Sequence, residues 1–370
     1  MSLQDMNCKQ LIEIKSEDRD IDWLKKMLRH AIKLEFTTIP PYLCAYWSIM
    51  DHDFGGETAI QLKHIALEEM THMGLVANLL TAVGETPVFY ENPDGTLPAF
   101  DLVPSYPGPI LDGSVRGTLG DIALQKLSKD ALMLFMQIEL PSFADSQHQK
   151  AERENNKATE TNYKTVGDFY HAIKEKVSAM TNDEFVAGNQ LELVIGPEPQ
   201  DKIFVIETRD RAIDAIEQIM EEGEGTESSA IAGEEFGEDG LAHFYRFKEL
   251  YDGKRFNKGV DDHLADTPFT GDPIPLPAVY DSKIPIAGYV DSDFEDLPLA
   301  KERYQGFLDN YIQMLKDFDM AWSEGGASKL QESVRRMSNL TFIARDLMRI
   351  EKPDGSGNFG PYFNIRGPVA

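Results

Sequence analysis

A glutamate and a histidine stand on an otherwise apolar helical stripe, and that placement constrains this chain more than any other feature. Within residues 57–83, Leu62, Ile65, Glu69, His72, Val76, Leu79 and Val83 recur at steps of three and four, the period that puts side chains on one face of an α-helix. The pattern repeats elsewhere. Leu24, Leu28, Ala31, Glu35 and Ile39 form a second stripe, and Leu132, Phe135, Glu139 and Phe143 a third. Phe236, Gly240, His243, Phe247 and Leu250 form a fourth, with a histidine inside it. Burying a carboxylate is costly unless it is paired. One such residue alone is ordinarily a cap, a partner for a cation such as Arg29 or Lys63, or a protonated acid. Three glutamates and two histidines on separate stripes converge only around something cationic, and carboxylate oxygen with imidazole nitrogen suits iron or manganese.

The spacing sharpens this reading. Glu69-x-x-His72 puts two ligands on one helix face, less than a turn apart. A helix bundle builds a dinuclear site from one Glu on each of two helices and a Glu-x-x-His on each of the other two. Here the order is Glu35, then Glu69 with His72, then Glu139, then His243. A lone Glu-x-x-His arises by chance; the ordered set is more specific. One slot fails, because Gly240 stands three residues before His243 where a Glu is expected. Asp239 is one substitute. Glu224 is the other, held between Gly223 and Gly225, whose missing side chains permit close backbone approach. The expected metal ligands are therefore Glu35, Glu69, His72, Glu139, His243 and Glu224. The expected cofactor is iron, dinuclear or mononuclear, with manganese as the alternative. Glu68 points about 100° away from Glu69 and reads as an outer partner of the site or a salt-bridge residue. His64 lies beside the stripe, and His30, His52, His148, His171 and His263 lack partners at ligand spacing.

Helical periodicity dominates, so the fold class is mainly α. Helices are expected over residues 22–50, 57–83, 128–143, 166–180, 209–222, 235–251, 299–322 and 328–350. Pro40 and Pro41 fall inside the first and should kink or break it. Gly84 should stop the second. Short strands are expected at 191–195 and 203–207. Residues 85–120 and 256–297 are rich in Pro, Gly and Asp, and segments of that length commonly cap or shape a substrate pocket. The acidic run 291–295 lacks the spacing of an EF-hand and reads as a solvated loop. The tail 353–370 carries Phe359, Tyr362 and Phe363 and should pack as an extended arm. The expected organisation is a metal-binding bundle over 20–253, a long loop insertion over 254–298, and C-terminal helices with the tail over 299–370, packed on the bundle.

Charge narrows the partners. The chain has 36 Lys and Arg against 63 Asp and Glu, a formal charge of −27. That argues against a nucleic-acid partner, which needs a basic face, and against an anionic membrane surface. No apolar run reaches the roughly 18 residues of a membrane span. Cys8 and Cys44 cannot make a disulfide framework or a thiolate zinc site. The first ten residues lack the pattern of a secretory signal. A cytoplasmic protein acting on a small molecule is the expectation, and a homo-oligomer is compatible with it.

Several stretches resemble a known family. Residues 34–43 read LEFTTIPPYL and residues 68–73 read EEMTHM. Ile138-Glu139-Leu140-Pro141, Val166-Gly167-Asp168-Phe169-Tyr170 and Glu222-Gly223-Glu224-Gly225 follow. His243-Phe244-Tyr245-Arg246-Phe247 and Gly360-Pro361-Tyr362-Phe363 complete the set. Together these resemble the ferritin-like iminophenyl-pyruvate dimer synthase family, across nearly the whole chain. The resemblance implies a ferritin-like helical bundle with long inserted loops and additional C-terminal helices. It also implies a metal-dependent oxidoreductase that uses dioxygen or peroxide and couples two imines of aromatic 2-oxo acids. Two other classes of function compete with this one. A metal-storage protein without a substrate would have shorter connections, and a helical scaffold with a decayed site would explain Gly240.

Overall fold

The computed structural model describes residues 6–90, 102–115, 119–141, 165–224, 240–256, 269–363 and 365. Among these, the helices in chain order are α1 (Cys8–Ile12), α2 (Ile21–Trp47), α3 (Glu57–Ala82), α4 (Lys129–Ile138), α5 (Val166–Ser178), α6 (Arg209–Glu224), α7 (His243–Asp252), α8 (Pro298–Glu324) and α9 (Ala327–Met348). The long pair α2 and α3 is the centre of the molecule. Helix α5 packs on α2, helices α6 and α7 pack on α3, α4 packs on α7, and the α8–α9 pair closes on α2. A small antiparallel pair, β1 (Leu193–Val194) with β2 (Lys202–Ile203), sets Leu193 opposite Ile203 and leans on α3.

Helix α2 starts where Asp20 accepts a hydrogen bond from the Trp23 amide, an ordinary side-chain cap. It then runs through Pro40 and Pro41 as one helix, so of the kink or break expected from the sequence the break does not occur. Proline at position 41 leaves the carbonyl of Thr37 without its helical donor. The Tyr106 hydroxyl donates to that carbonyl at 2.8 Å, so the missing bond is supplied from a distant segment. At the far end of α2, the buried Arg345 of α9 donates to the carbonyls of Trp47 (3.0 Å) and Ile49 (2.7 Å) and pairs with Asp51. These bonds satisfy carbonyls that a helix end leaves open and tie the α8–α9 pair to the bundle.

The third expected helix is shorter than its stripe suggests. Helix α4 ends at Ile138 and Glu139 is its C-cap, because Pro141 disfavours helical geometry at the residue before it. The helix expected over 235–251 starts later, at His243. Ala242 is its extended N-cap (φ −61°, ψ 156°), so Gly240 lies before the helix and not one turn inside it. Residues 235–239, the start of that expected helix, lie outside the described residues. The tail packs as an arm: Phe363 stacks on Trp47 with ring centroids 6.1 Å apart and planes 11° from parallel. Among the described residues, no helix is long and apolar enough to cross a membrane.

Candidate metal centre

Glu35 comes from α2 and Glu69 from α3, the packed central pair, and Thr38 of α2 reaches Glu69 across the seam. Helix α3 adds His72 one turn after Glu69. The end of α4 brings Glu139, and the first residue of α7 is His243. All five are buried, none more than 5% exposed. They form two triads with a common member: Glu35, Glu69 and His72 in one, Glu69, Glu139 and His243 in the other. Within each triad one donor atom per residue lies within 4.8 Å of the others.

Both histidines are oriented alike. His72 turns Nδ1 inward, 3.5 Å from Glu35 and 3.9 Å from Glu69, while its Nε2 lies 2.6 Å from Glu222 on α6. His243 turns Nδ1 inward, 2.8 Å from Glu69 and 3.9 Å from Glu139, while its Nε2 lies 3.1 Å from Glu68. Glu68 is paired in turn with Arg246, one turn along α7. Outer carboxylates of this kind fix the ring orientation of an imidazole ligand. Hydroxyls hold the inner carboxylates: Tyr42 donates to Glu139, Tyr170 to Glu35, and Thr38 to Glu69 at 3.0 Å.

The electrostatics follow from this crowding. Burial, with the charge of Glu69 nearby, pushes Glu35 up to about 7 and Glu139 up to about 8, against the lowering effect of their histidine contacts. Burial alone would make His243 harder to protonate, but the carboxylates of Glu68 and Glu69 reverse this and bring it up to about 10. Burial also works against ionising Glu68, yet Arg246 and His243 hold it well below the usual carboxylate range. Glu222 is raised by burial, which its contact with His72 only partly offsets.

Nδ1 of His243 is fully buried and has no hydrogen-bond partner, despite lying 2.8 Å from Glu69, because the two are not aligned for one. Unpartnered buried polar atoms are rare in native structures. An inward ring nitrogen beside several carboxylates, once its proton is displaced, is the donor arrangement a divalent cation takes. The residues present fit a metal.

Glu35, Glu69, His72, Glu139 and His243 are thus brought together, and Glu68 pairs with His243 and Arg246. Glu224 closes α6, but its side chain and Asp239 lie outside the described residues. Sequence reasoning missed Glu222. It continues the buried face of Ala212, Ala215 and Ile219, so the stripe test that found Glu69 would have found it too. His30, His52, His64 and His171 stay outside both triads, and His148 and His263 lie outside the described residues. A space of about 20 Å³ adjoins the cluster and is lined by Leu34, Ile138, Val166, Ile219 and Gly223 besides Glu35, Thr38, Glu69, His72 and Glu139. No described residue of 85–120 or 256–297 lines it, so helices and not the long loops form its described walls.

Fold and site together describe a helical bundle with carboxylates and imidazoles gathered in its interior. The chain belongs to the ferritin-like family, whose model matches residues 28–252. It is also similar in fold to a ferritin-like protein from Caulobacter vibrioides, with 20% identity and a TM-score of 0.60 over 92% of this chain and 97% of that one. No curated protein matches the sequence.

Proposed function

We propose that this protein is a metal-dependent oxidoreductase with a dinuclear centre, iron being the metal best suited to the donors and manganese the alternative. One position would be held by Glu35, Glu69 and His72, the other by Glu69, Glu139 and His243. The observation that carries the reading is the sharing of Glu69 between two otherwise separate triads. A carboxylate has two oxygens, so one residue can serve two cations. When bound, such a pair supplies redox chemistry with dioxygen or peroxide and an open position for the oxidant. The chain's own part is to keep the ligands fixed and the interior dry. Tyr42, Tyr170 and Thr38 hold the carboxylates, and Glu222 and Glu68 hold the imidazoles.

The substrate class we propose, an imine of an aromatic 2-oxo acid, rests on the family resemblance of the sequence. Joining two such imines through one new bond removes two hydrogen atoms, which dioxygen takes up as peroxide, or peroxide as water. The scaffold reading loses its main support here, since both triads are assembled without any ligand at position 240. The test is oxidant consumption by the metal-loaded protein with and without the imine. Substrate-dependent consumption that vanishes on metal removal supports the reading. Substrate-independent uptake of many irons per chain would support storage instead.

A further inference from the structure

Gly223 is the penultimate residue of α6 and has no backbone reason to be glycine. It is not among the glycines with positive φ, and glycine within a helix costs about 1 kcal/mol relative to alanine. Its surroundings give a different reason. A Cβ built at position 223 would lie 3.6 Å from Oε2 of Glu139, and Gly223 is itself one of the residues lining the space of about 20 Å³ beside the triads. That volume exceeds the roughly 10–15 Å³ needed to seat one water and is far below that of an aromatic ring. Its walls are polar on the side of Glu35, Glu69, His72 and Glu139 and apolar at Leu34, Ile138, Val166 and Ile219. Such a space suits a ligand of two or three heavy atoms with one end on a cation and the other against hydrocarbon.

We propose that Gly223 determines the size of the exogenous ligand the centre accepts, its missing side chain leaving a slot for a diatomic or triatomic ligand such as dioxygen, peroxide or azide. This rests on the metal-centre reading above and deepens it. The slot is a property of α6 and the triad carboxylates, so a methyl group at 223 removes it without touching a ligating residue. The methyl group would stand at ordinary van der Waals distance from Glu139, so the folded state accommodates it.

The experiment uses the full chain, reconstituted with ferrous iron, oxidised in air and titrated with sodium azide, whose binding is read from its charge-transfer absorption. Wild type, Gly223→Ala and Gly223→Val are compared, and iron per chain is measured for each. Gly306→Ala is the control, because position 306 lies within α8 and has nothing within 4 Å of an added Cβ. The expected result is equal iron in wild type, Gly223→Ala and Gly306→Ala, with azide affinity at least tenfold weaker only for Gly223→Ala. In Gly223→Val binding should be abolished. Unchanged azide affinity in an iron-loaded Gly223→Ala protein overturns the slot while leaving the metal centre intact. A wild-type protein that takes up no iron overturns the centre itself, and the slot with it.

Discussion

The imidazole rings of His72 and His243 lie 5.7 Å apart, 28° from parallel, and both turn Nδ1 toward Glu69. They come from different helices, α3 and α7, with 170 residues of chain between them. Their matched orientation is set from outside, by Glu222 behind one and Glu68 behind the other. The two outer carboxylates differ in one respect, because Glu68 is also paired with Arg246.

That pair gives the first prediction. Removing one partner of a buried ion pair leaves the other uncompensated, and with Arg246 slightly exposed the loss for Arg246→Gln should be about 2–4 kcal/mol in the metal-free protein. Adding Glu68→Gln removes the stranded charge, so the double variant should be more stable than the sum of the single losses implies. Urea denaturation of the four proteins closes the cycle. Additive losses would mean that Glu68 and Arg246 do not act on each other.

Position 240 gives the second. Were Gly240 one turn inside the helix of His243, Gly240→Glu would complete a second Glu-x-x-His and strengthen metal binding. The helix starts at His243 after an extended Ala242, so that register does not exist. Metal titrations of Gly240→Glu and wild type should superimpose. A rise in stoichiometry or affinity in the variant would show that position 240 reaches the centre.

How much of this was legible in sequence depends on whether the cause is local. Carboxylates on apolar stripes are visible at steps of three and four, which is why Glu35, Glu69, His72, Glu139 and His243 could be named together. Glu222 obeys the same rule on α6, one turn beyond the buried Ile219, but it stands next to the Gly223-Glu224-Gly225 run that ends the helix pattern. The apolar period through Phe236, Gly240 and His243 gave no sign that the backbone is extended at Ala242. The continuity of α2 through Pro40 and Pro41 has no local signal at all, since the bond that replaces the lost one comes from Tyr106, far along the chain.

Asp201 carries a pH dependence. It is 3% exposed, its Oδ2 accepts from the Glu198 amide at 2.9 Å, and its Oδ1 has no partner. Burial raises it from 3.8 to about 6, with the charges of Glu68 and Glu222 adding to the effect. A raised carboxyl makes the folded state bind its proton more tightly than the unfolded state does. Its contribution is therefore least unfavourable below about pH 4 and becomes unfavourable as pH rises through about 6. Asp201→Asn should match wild type near pH 4 and exceed its stability at pH 8 by about 1–3 kcal/mol. Denaturation midpoints at the two pH values check this, and an equal difference at both would show that the carboxyl does not titrate between them.

The central claim is that Glu69 belongs to two metal positions at once. Anomalous diffraction from crystals of the metal-loaded protein, joined to metal per chain in solution, tests it most directly. The expected map has two peaks, one bonded to Nδ1 of His72 and one to Nδ1 of His243, with Glu69 contacting both. Glu69→Ala should then lose both metals, while Glu35→Gln and Glu139→Gln each weaken only one. A single peak that Glu69 does not touch, or a Glu69→Ala protein with its full metal content, would contradict the account.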